Sequence, residues 1–470
     1  MTTLSAQAGT GKGSFEDVFR PFLQRPGLPF ADVLGAEHIE QTFRRHDALF
    51  ANDAIFSTPI VLWAFLAQVL RDGKGAACAA AVADIATYMQ QTAQRPPSGD
   101  TGDYCRARAK LDPAALRDLV VQAGRQLDAQ ARPDWLWRGR YAKLVDGFTF
   151  TMPDTPANQQ AFPQQKTQTP GVGLPIGRAC AVLSLATAAI HDLAIGPYQG
   201  KQTGETALLR TILDRLDTGD VVVFDRYYCS FMMLALLKLR GVDVCSRLHQ
   251  CRPEDFRRGR RLGNHDRLVT WTRPERPAWM SRQQYEQIPQ TLTLRELKFD
   301  VTVPGRRVQT LTVVTTLTDP LAYPKEDIAA LYGYRWNAEL DIRDVKQTLG
   351  LDHLRCKSPE MVQREVWVTL LAYNLIRKVI ATAAALHNKK PRQIGFTLSC
   401  QTVLSSWMLL ATGACRDVRG LTDSAMARIA ANEVADRPGR IEPRVLKRRR
   451  HRYPLMRKPR RLLRAQMTYT

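Results

Sequence analysis

The chain has 470 residues, and its 67 Lys and Arg outweigh 45 Asp and Glu to give a formal charge of +22 at pH 7. Hydrophobic residues at 44% and aromatics at 8% exclude a disordered chain, and the length allows roughly two to four domains around a large core. A positive surplus of this size attracts polyanions, nucleic acid first and an acidic lipid surface second, and it argues against a carboxylate glycosidase.

Residues 1–13 are small and polar, with no apolar leader. Gly9-Thr10-Gly11-Lys12-Gly13-Ser14 lacks the spacing of a phosphate loop and follows no strand, so it reads as a tail. From about 15 to 127 the pattern is helical. Ser57-Thr58-Pro59 is a start signal, a hydroxyl N-cap followed by proline, ahead of the apolar face Leu62, Phe65, Leu66, Val69 and Leu70. A Pro/Gly/Ser loop at 94–102 leads to Arg106, Arg108 and Lys110, which read equally well as phosphate contacts or as a solvated helix face. A helix is expected over 113–127.

At Tyr141 the texture changes to alternating strands and helices, the pattern of an α/β sheet. Residues 143–146 read as a short buried strand ending in Asp146. Two strands follow at 179–189 and 190–195, then a helix at 203–216. Residues 220–225 form an apolar strand ending in Asp225, followed by a helix at 230–239 and a strand at 242–247. Acids at the ends of separate buried strands gather at one edge of a sheet. Residues 250–323 break the rhythm with arginines and alternating strands around a Pro304-Gly305 turn, which reads as a β-rich insertion. One long helix is expected over 325–350 and another over 359–386. Residues 437–464 form a basic block, opposed only by Glu442 and interrupted by four prolines, which is expected to order on an anionic partner.

The nine cysteines are odd in number and form no CxxC pair, which excludes a disulfide framework and a zinc ribbon and fits a reducing cytoplasm. Cys245, His249 and Cys251 come nearest to a metal cluster, but no second pair completes it, and they read as strand and loop residues. The apolar runs 59–70 and 366–376 are too short to span a bilayer.

On the helix expected at 325–350, about 100° per residue places Tyr332, Arg335, Glu339 and Lys346 on one arc about 60° wide. Leu331, Ile342, Val345 and Leu349 form the adjacent packing stripe, with Asp341 and Asp344 pointing elsewhere. Taken alone, this is also the pattern of a salt-bridged amphipathic helix. Together with Asp146 and Asp225 it becomes a set of three carboxylates. Hard oxygen donors of this kind hold Mg²⁺, and two ions activate the attacking oxygen and stabilise the leaving one in phosphodiester cleavage.

The spacing Tyr-x2-Arg-x3-Glu-x6-Lys at Tyr332, Arg335, Glu339 and Lys346 resembles the signature of bacterial transposases of the insertion sequence 4 family, members of the DDE class. Leu144-Val145-Asp146-Gly147 and Val223-Phe224-Asp225-Arg226 resemble that family's first and second Asp motifs. The resemblance covers about 141–386. It implies a ribonuclease-H-like α/β fold, a mixed sheet flanked by helices, with a β-rich insertion, an N-terminal helical domain and a basic C-terminal tail. The expected divisions are 1–135, 136–249, 250–324, 325–400 and 401–470. It further implies that Asp146, Asp225 and Glu339 bind two Mg²⁺ or Mn²⁺ ions. Arg335, Lys346, Arg226 and Tyr332 would contact DNA, and a homodimer would hold two transposon ends. Excision could pass through a hairpin, with Trp271 or Trp279 as candidates to hold a flipped base, although packing explains both tryptophans as well. A ribonuclease-H-like nuclease that cuts without joining, or a non-catalytic DNA-binding relic, stays open at this level.

Overall fold

The computed structural model describes residues 34–51, 55–91, 96–301, 309–411, 416–434 and 456–467. The glycine-rich stretch at 9–14, the Pro304-Gly305 turn and most of the basic block lie outside these residues.

The centre of the fold is a nine-stranded mixed sheet. Its strands are β1 Ala142–Thr151, β2 Ile176–Ser184, β3 Ile190–Pro197, β4 Val221–Phe224, β5 Asp243–Arg247, β6 Arg260–Gly263, β7 Asp266–Thr272, β8 Thr291–Val301 and β9 Gln309–Thr315. They lie in the order β3-β2-β1-β4-β5-β9-β8-β7-β6. β1, β2 and β3 form an antiparallel meander, and β4 and β5 run parallel to β1. β4 has no polar residue because it is a central strand covered on both faces, and all four of its side chains are fully buried. The strands between 250 and 323 join the same sheet. β9 pairs antiparallel with β5, and β8, β7 and β6 extend the same edge.

The two sheet faces build two apolar clusters, and strand alternation sorts residues between them. Leu144, Val223, Cys245 and Val313 enter one cluster, with Ile342 and much of the helix Pro359–Leu386. Val145, Phe224, Val244 and Val314 enter the other, beneath the helices Glu205–Arg210 and Phe231–Leu239. The N-terminal helices Thr58–Val69 and Pro113–Ala129 contribute to the first cluster and pack against Pro359–Leu386. That 28-residue helix is long and apolar enough to cross a membrane by length and composition, more so than its core run at 366–376 suggests, yet it is mostly buried within the protein.

Local signals explain most boundaries. Asp112 caps Pro113–Ala129 by accepting from the Ala115 amide at 2.8 Å, and Ser358 caps Pro359–Leu386 through the Met361 amide at 3.4 Å. Ser57 stands at its expected N-cap position but makes no side-chain capping bond.

Four expectations need correction. Residues 143–146 are not a complete strand, because β1 continues five residues past Asp146, held by β2 up to Thr151↔Ile176. The strand expected at 179–189 stops at Ser184. The apolar residues after it form a tight turn, in which Ala188 takes φ 61°. The helix at 203–216 is a short helix, Glu205–Arg210, followed by a 3₁₀ turn at Leu213–Arg215. That tighter winding places Ile212, Leu213 and Leu216 together in the core. The long helix at 325–350 is three pieces: Lys325–Gly333, Trp336–Arg343 and a π turn at Asp344–Thr348. Gly333 weakens the first join. Across it the Arg335, Asn337 and Ala338 amides each bond three residues back, at 3.0, 2.9 and 3.0 Å, a 3₁₀ tightening. Gly350 ends the π turn with φ 74°.

Candidate active site

Asp146 and Asp225 are placed by strand register. Leu144 pairs with Val223 at the last rung between β1 and β4. Two residues further along lie Asp146, still within β1, and Asp225, one residue past the end of β4. Alternation turns both toward the face that Leu144 and Val223 occupy, which the helix Trp336–Arg343 covers in packing on β1. β4 ends at Phe224 while β1 continues, so the acids stand at a notch in the sheet. Each carboxylate accepts from the amide that follows it, Gly147 at 2.9 Å and Arg226 at 2.7 Å.

Ala338 and Ile342 are the buried side of the Trp336–Arg343 helix, and Glu339 lies beside them at its exposed margin. Arg335 joins the pieces. Its Nη2 donates to Glu339 Oε1 at 2.8 Å, and its Nη1 lies 4.0 Å from Asp146 Oδ2. The side chains of Arg335, Asp146 and Glu339 are 18%, 20% and 37% exposed, so this is a partly desolvated group with an opening to solvent. Burial pushes the Asp146 carboxyl up to about 6. The Gly147 amide and Arg335 oppose that rise, whereas the nearby charges of Glu339 and Glu205 add to it. Burial also disfavours the Arg335 charge, but Tyr332, Glu339 and Asp146 outweigh it and raise the guanidinium.

The four residues of the helical arc do not share one solvent-facing edge, because the 3₁₀ join and the π turn rotate them apart. Tyr332 is buried, 5% exposed, and packs in the core. Burial raises its phenol, with the Asp225 charge adding and Arg335 and Arg247 opposing, which places the ring near the second aspartate. Lys346 pairs with Asp352 at 2.8 Å and lies 6.0 Å from the ring of Phe148, two residues beyond Asp146 on the same face. The Arg226 side chain is exposed. The structure thus brings Asp146, Glu339 and Arg335 into one group with Asp225 alongside by register, and leaves Lys346 and Arg226 on the flanks.

Asp341 and Asp344 turn away from this group, as expected, to meet Arg377, each at 3.2 Å. Trp271 is buried under the Arg252 guanidinium at 3.4 Å, and its Nε1 donates to Glu296 Oε1 at 3.4 Å. Trp279 is half-buried, with the Arg210 guanidinium 3.9 Å over its ring. Glu205 was not among the sequence candidates. A Cβ at Gly147 would lie 2.2 Å from Glu205 Cδ, so the glycine after Asp146 marks a close approach. That glycine was the available signal in the sequence.

The donor set is hard oxygen, suited to Mg²⁺ or Mn²⁺ and unsuited to a thiophilic metal. Burial of Asp146 beside further carboxylates leaves negative charge that one arginine shares out, and a divalent cation would relieve it. Among the described residues, no three acids, histidines or cysteines stand close enough to grip a metal as their side chains lie. Glu339 is instead held by Arg335.

Residues 137–375, half of the chain, match the family model described as the transposase DDE domain. Over 353 residues the chain is 28% identical to transposase InsG of insertion sequence element IS4 from Escherichia coli strain K12, spanning 74% of this chain and 77% of that protein. A cryo-EM structure of the piggyBac transposase synaptic complex with hairpin DNA aligns with a TM-score of 0.41 and 10% identity, covering 88% of this chain and 87% of that one.

Proposed function

This chain belongs to the family of transposases that carry the DDE domain, and from that premise we propose that Asp146, Asp225 and Glu339 are its catalytic acids. It is a DNA transposase, an enzyme that cleaves DNA with the help of divalent metal ions and joins the freed strand to new DNA. The observation that supports the residue assignment is that Asp146 and Asp225 each follow by two residues the last rung between the adjacent parallel strands β1 and β4, while the helix that carries Glu339 packs on β1.

In this reading the three carboxylates would hold two Mg²⁺ or Mn²⁺ ions. Such ions activate the oxygen that attacks the phosphodiester and stabilise the one that leaves. The protein's own contribution is placement and charge. Arg335 bonds Glu339 and lies near Asp146 as they stand, and its planar fork is suited to exchange them for a DNA phosphate. Lys346 and exposed Arg226, on either flank, position neighbouring phosphates. Tyr332 is buried, so its proposed contact with the DNA end requires movement of the tight turn that follows it. We further read the enzyme as a homodimer on two transposon ends, cutting by way of a hairpin, and working in a bacterial cytoplasm at the nucleoid.

The test is strand transfer. An end duplex already cut to expose its 3′-OH should be joined to target DNA by the wild-type protein in Mg²⁺. Efficient nicking of uncut ends with no joining of pre-cut ends would contradict the transposition chemistry and favour a nuclease.

A further inference from the structure

Glu205 is the first residue of the helix Glu205–Arg210, and three observations place it behind the aspartates. It rests against β1 at Gly147, the residue after Asp146, which alternates to the opposite face; a Cβ there would lie 2.2 Å from Glu205 Cδ and 2.5 Å from Cγ. Gly147 does not take a positive φ, so its lack of a side chain provides room and not backbone freedom. The Tyr228 hydroxyl donates to Glu205 Oε2 at 3.2 Å. Tyr228 closes the 3₁₀ turn Arg226–Tyr228 that Asp225 opens, its amide bonding the Asp225 carbonyl at 3.1 Å and its ring packing 5.5 Å from that of Phe224.

β4 stops pairing with β1 at Leu144↔Val223, two residues before the aspartates, so ladder bonds do not set their spacing. Yet carboxylates that share cations must be held to about 0.5 Å by their supporting shell. We propose that Glu205, gripped by Tyr228 and seated against Gly147, is a strut on the far face of the sheet that sets the separation of Asp146 from Asp225, and is thereby a positioning residue for transposition. This rests on the reading of those aspartates as catalytic acids. The strut acts by accepting a hydrogen bond and filling the space at Gly147, which a glutamine also does. Its charge, which adds to the rise of the Asp146 carboxyl, is not what holds the spacing.

The experiment uses the full-length protein with Glu205→Ala, Glu205→Gln and Tyr228→Phe. Mn²⁺ binding without DNA is followed by electron paramagnetic resonance of the free ion, and the Mg²⁺ concentration for half-maximal nicking is measured in parallel. Removing outer support from metal ligands typically weakens binding by about tenfold or more. Glu205→Ala and Tyr228→Phe should each weaken Mn²⁺ binding and raise the Mg²⁺ requirement by about that factor. The double variant should be no worse than Glu205→Ala, and Glu205→Gln should stay within about twofold of wild type. Unchanged Mn²⁺ affinity in both Glu205→Ala and Tyr228→Phe overturns the strut, as does a Glu205→Gln protein as weak as Glu205→Ala. If Asp225→Ala binds Mn²⁺ and nicks as wild type does, the aspartate assignment is what has failed. If Asp225→Ala is inactive while the strut variants are normal, only the strut has failed. Should Glu205→Ala not fold, Tyr228→Phe and Glu205→Gln, which each remove or keep one element of the contact, decide the matter.

Discussion

Asp146 bears a cost that the fold accepts. Its carboxyl is pushed up to about 6, chiefly by burial, whereas an unfolded chain restores it to about 3.9. The folded state therefore binds this proton more tightly. The stability drawn from that is fully present below about pH 4 and is lost as pH rises through about 6. Replacing Asp146 by Asn removes the charge, so the variant should gain on wild type across that window and hold the gain above it. About two pKa units correspond to about 3 kcal/mol, and solvent access to the side chain reduces this to roughly 1–2 kcal/mol. Urea unfolding at pH 5 and pH 8 without divalent ions checks it; equal stability of the two proteins at pH 8 would show that burial does not strain the carboxylate. At this scale the sequence supplied the three candidate acids and Arg335, because the residue types and their spacing are chemical facts. It did not show Glu205, whose partners Tyr228 and Gly147 are distant in sequence and meet through the sheet.

Elements were legible where local chemistry decides them and misread where tertiary packing does. The apolar run Val221–Phe224 and the proline start of Pro359–Leu386 each carry their own signal. The end of β1 was misplaced because Asp146-Gly147 interrupts the apolar run, although Phe148 to Thr151 then alternate and are held by β2. The helix at 325–350 was misread for a related reason. A uniform 100° wheel cannot register a 3₁₀ join and a π turn, and those irregularities bury Tyr332 while leaving Arg335 beside the acids. Close packing between elements gives a test. Gly124 lies in the helix Pro113–Ala129, where a Cβ would stand 2.6 Å from the Ile190 carbonyl oxygen on β3. Helix propensity favours alanine by about 1 kcal/mol, but forcing this contact costs about 1–3 kcal/mol. Gly124→Ala should therefore lower the melting temperature, and a higher one would mean that the helix and β3 are not in such close contact.

At the scale of the whole molecule, one sheet joins β1, β4 and β5 to β6–β9 through the β5–β9 pairing, so residues 260–315 are anchored beside the strand ends that carry the acids. Buried pairs stiffen that extension, with Arg267 on Glu296 and Arg295 on Asp266 between β7 and β8. The +22 charge sits on a protein whose partner is a polyanion, and the basic block at 437–464 is its densest part. Replacing Arg448, Arg449 and Arg450 by Glu should weaken binding to DNA of every sequence. It should also flatten the dependence of affinity on salt, because each lost phosphate contact removes about 0.9 from the slope. An unchanged slope in a fluorescence anisotropy titration would show that the block does not touch DNA.

The most direct measurement is divalent-dependent nicking of the element's own end DNA by Asp146→Ala, Asp225→Ala and Glu339→Ala proteins, with end binding measured on the same samples. Each variant should lose nicking by several orders of magnitude, as when one member of a catalytic set is removed, while binding the end within a few-fold of wild type. Near-normal nicking by any one of the three would contradict the joint role of these carboxylates.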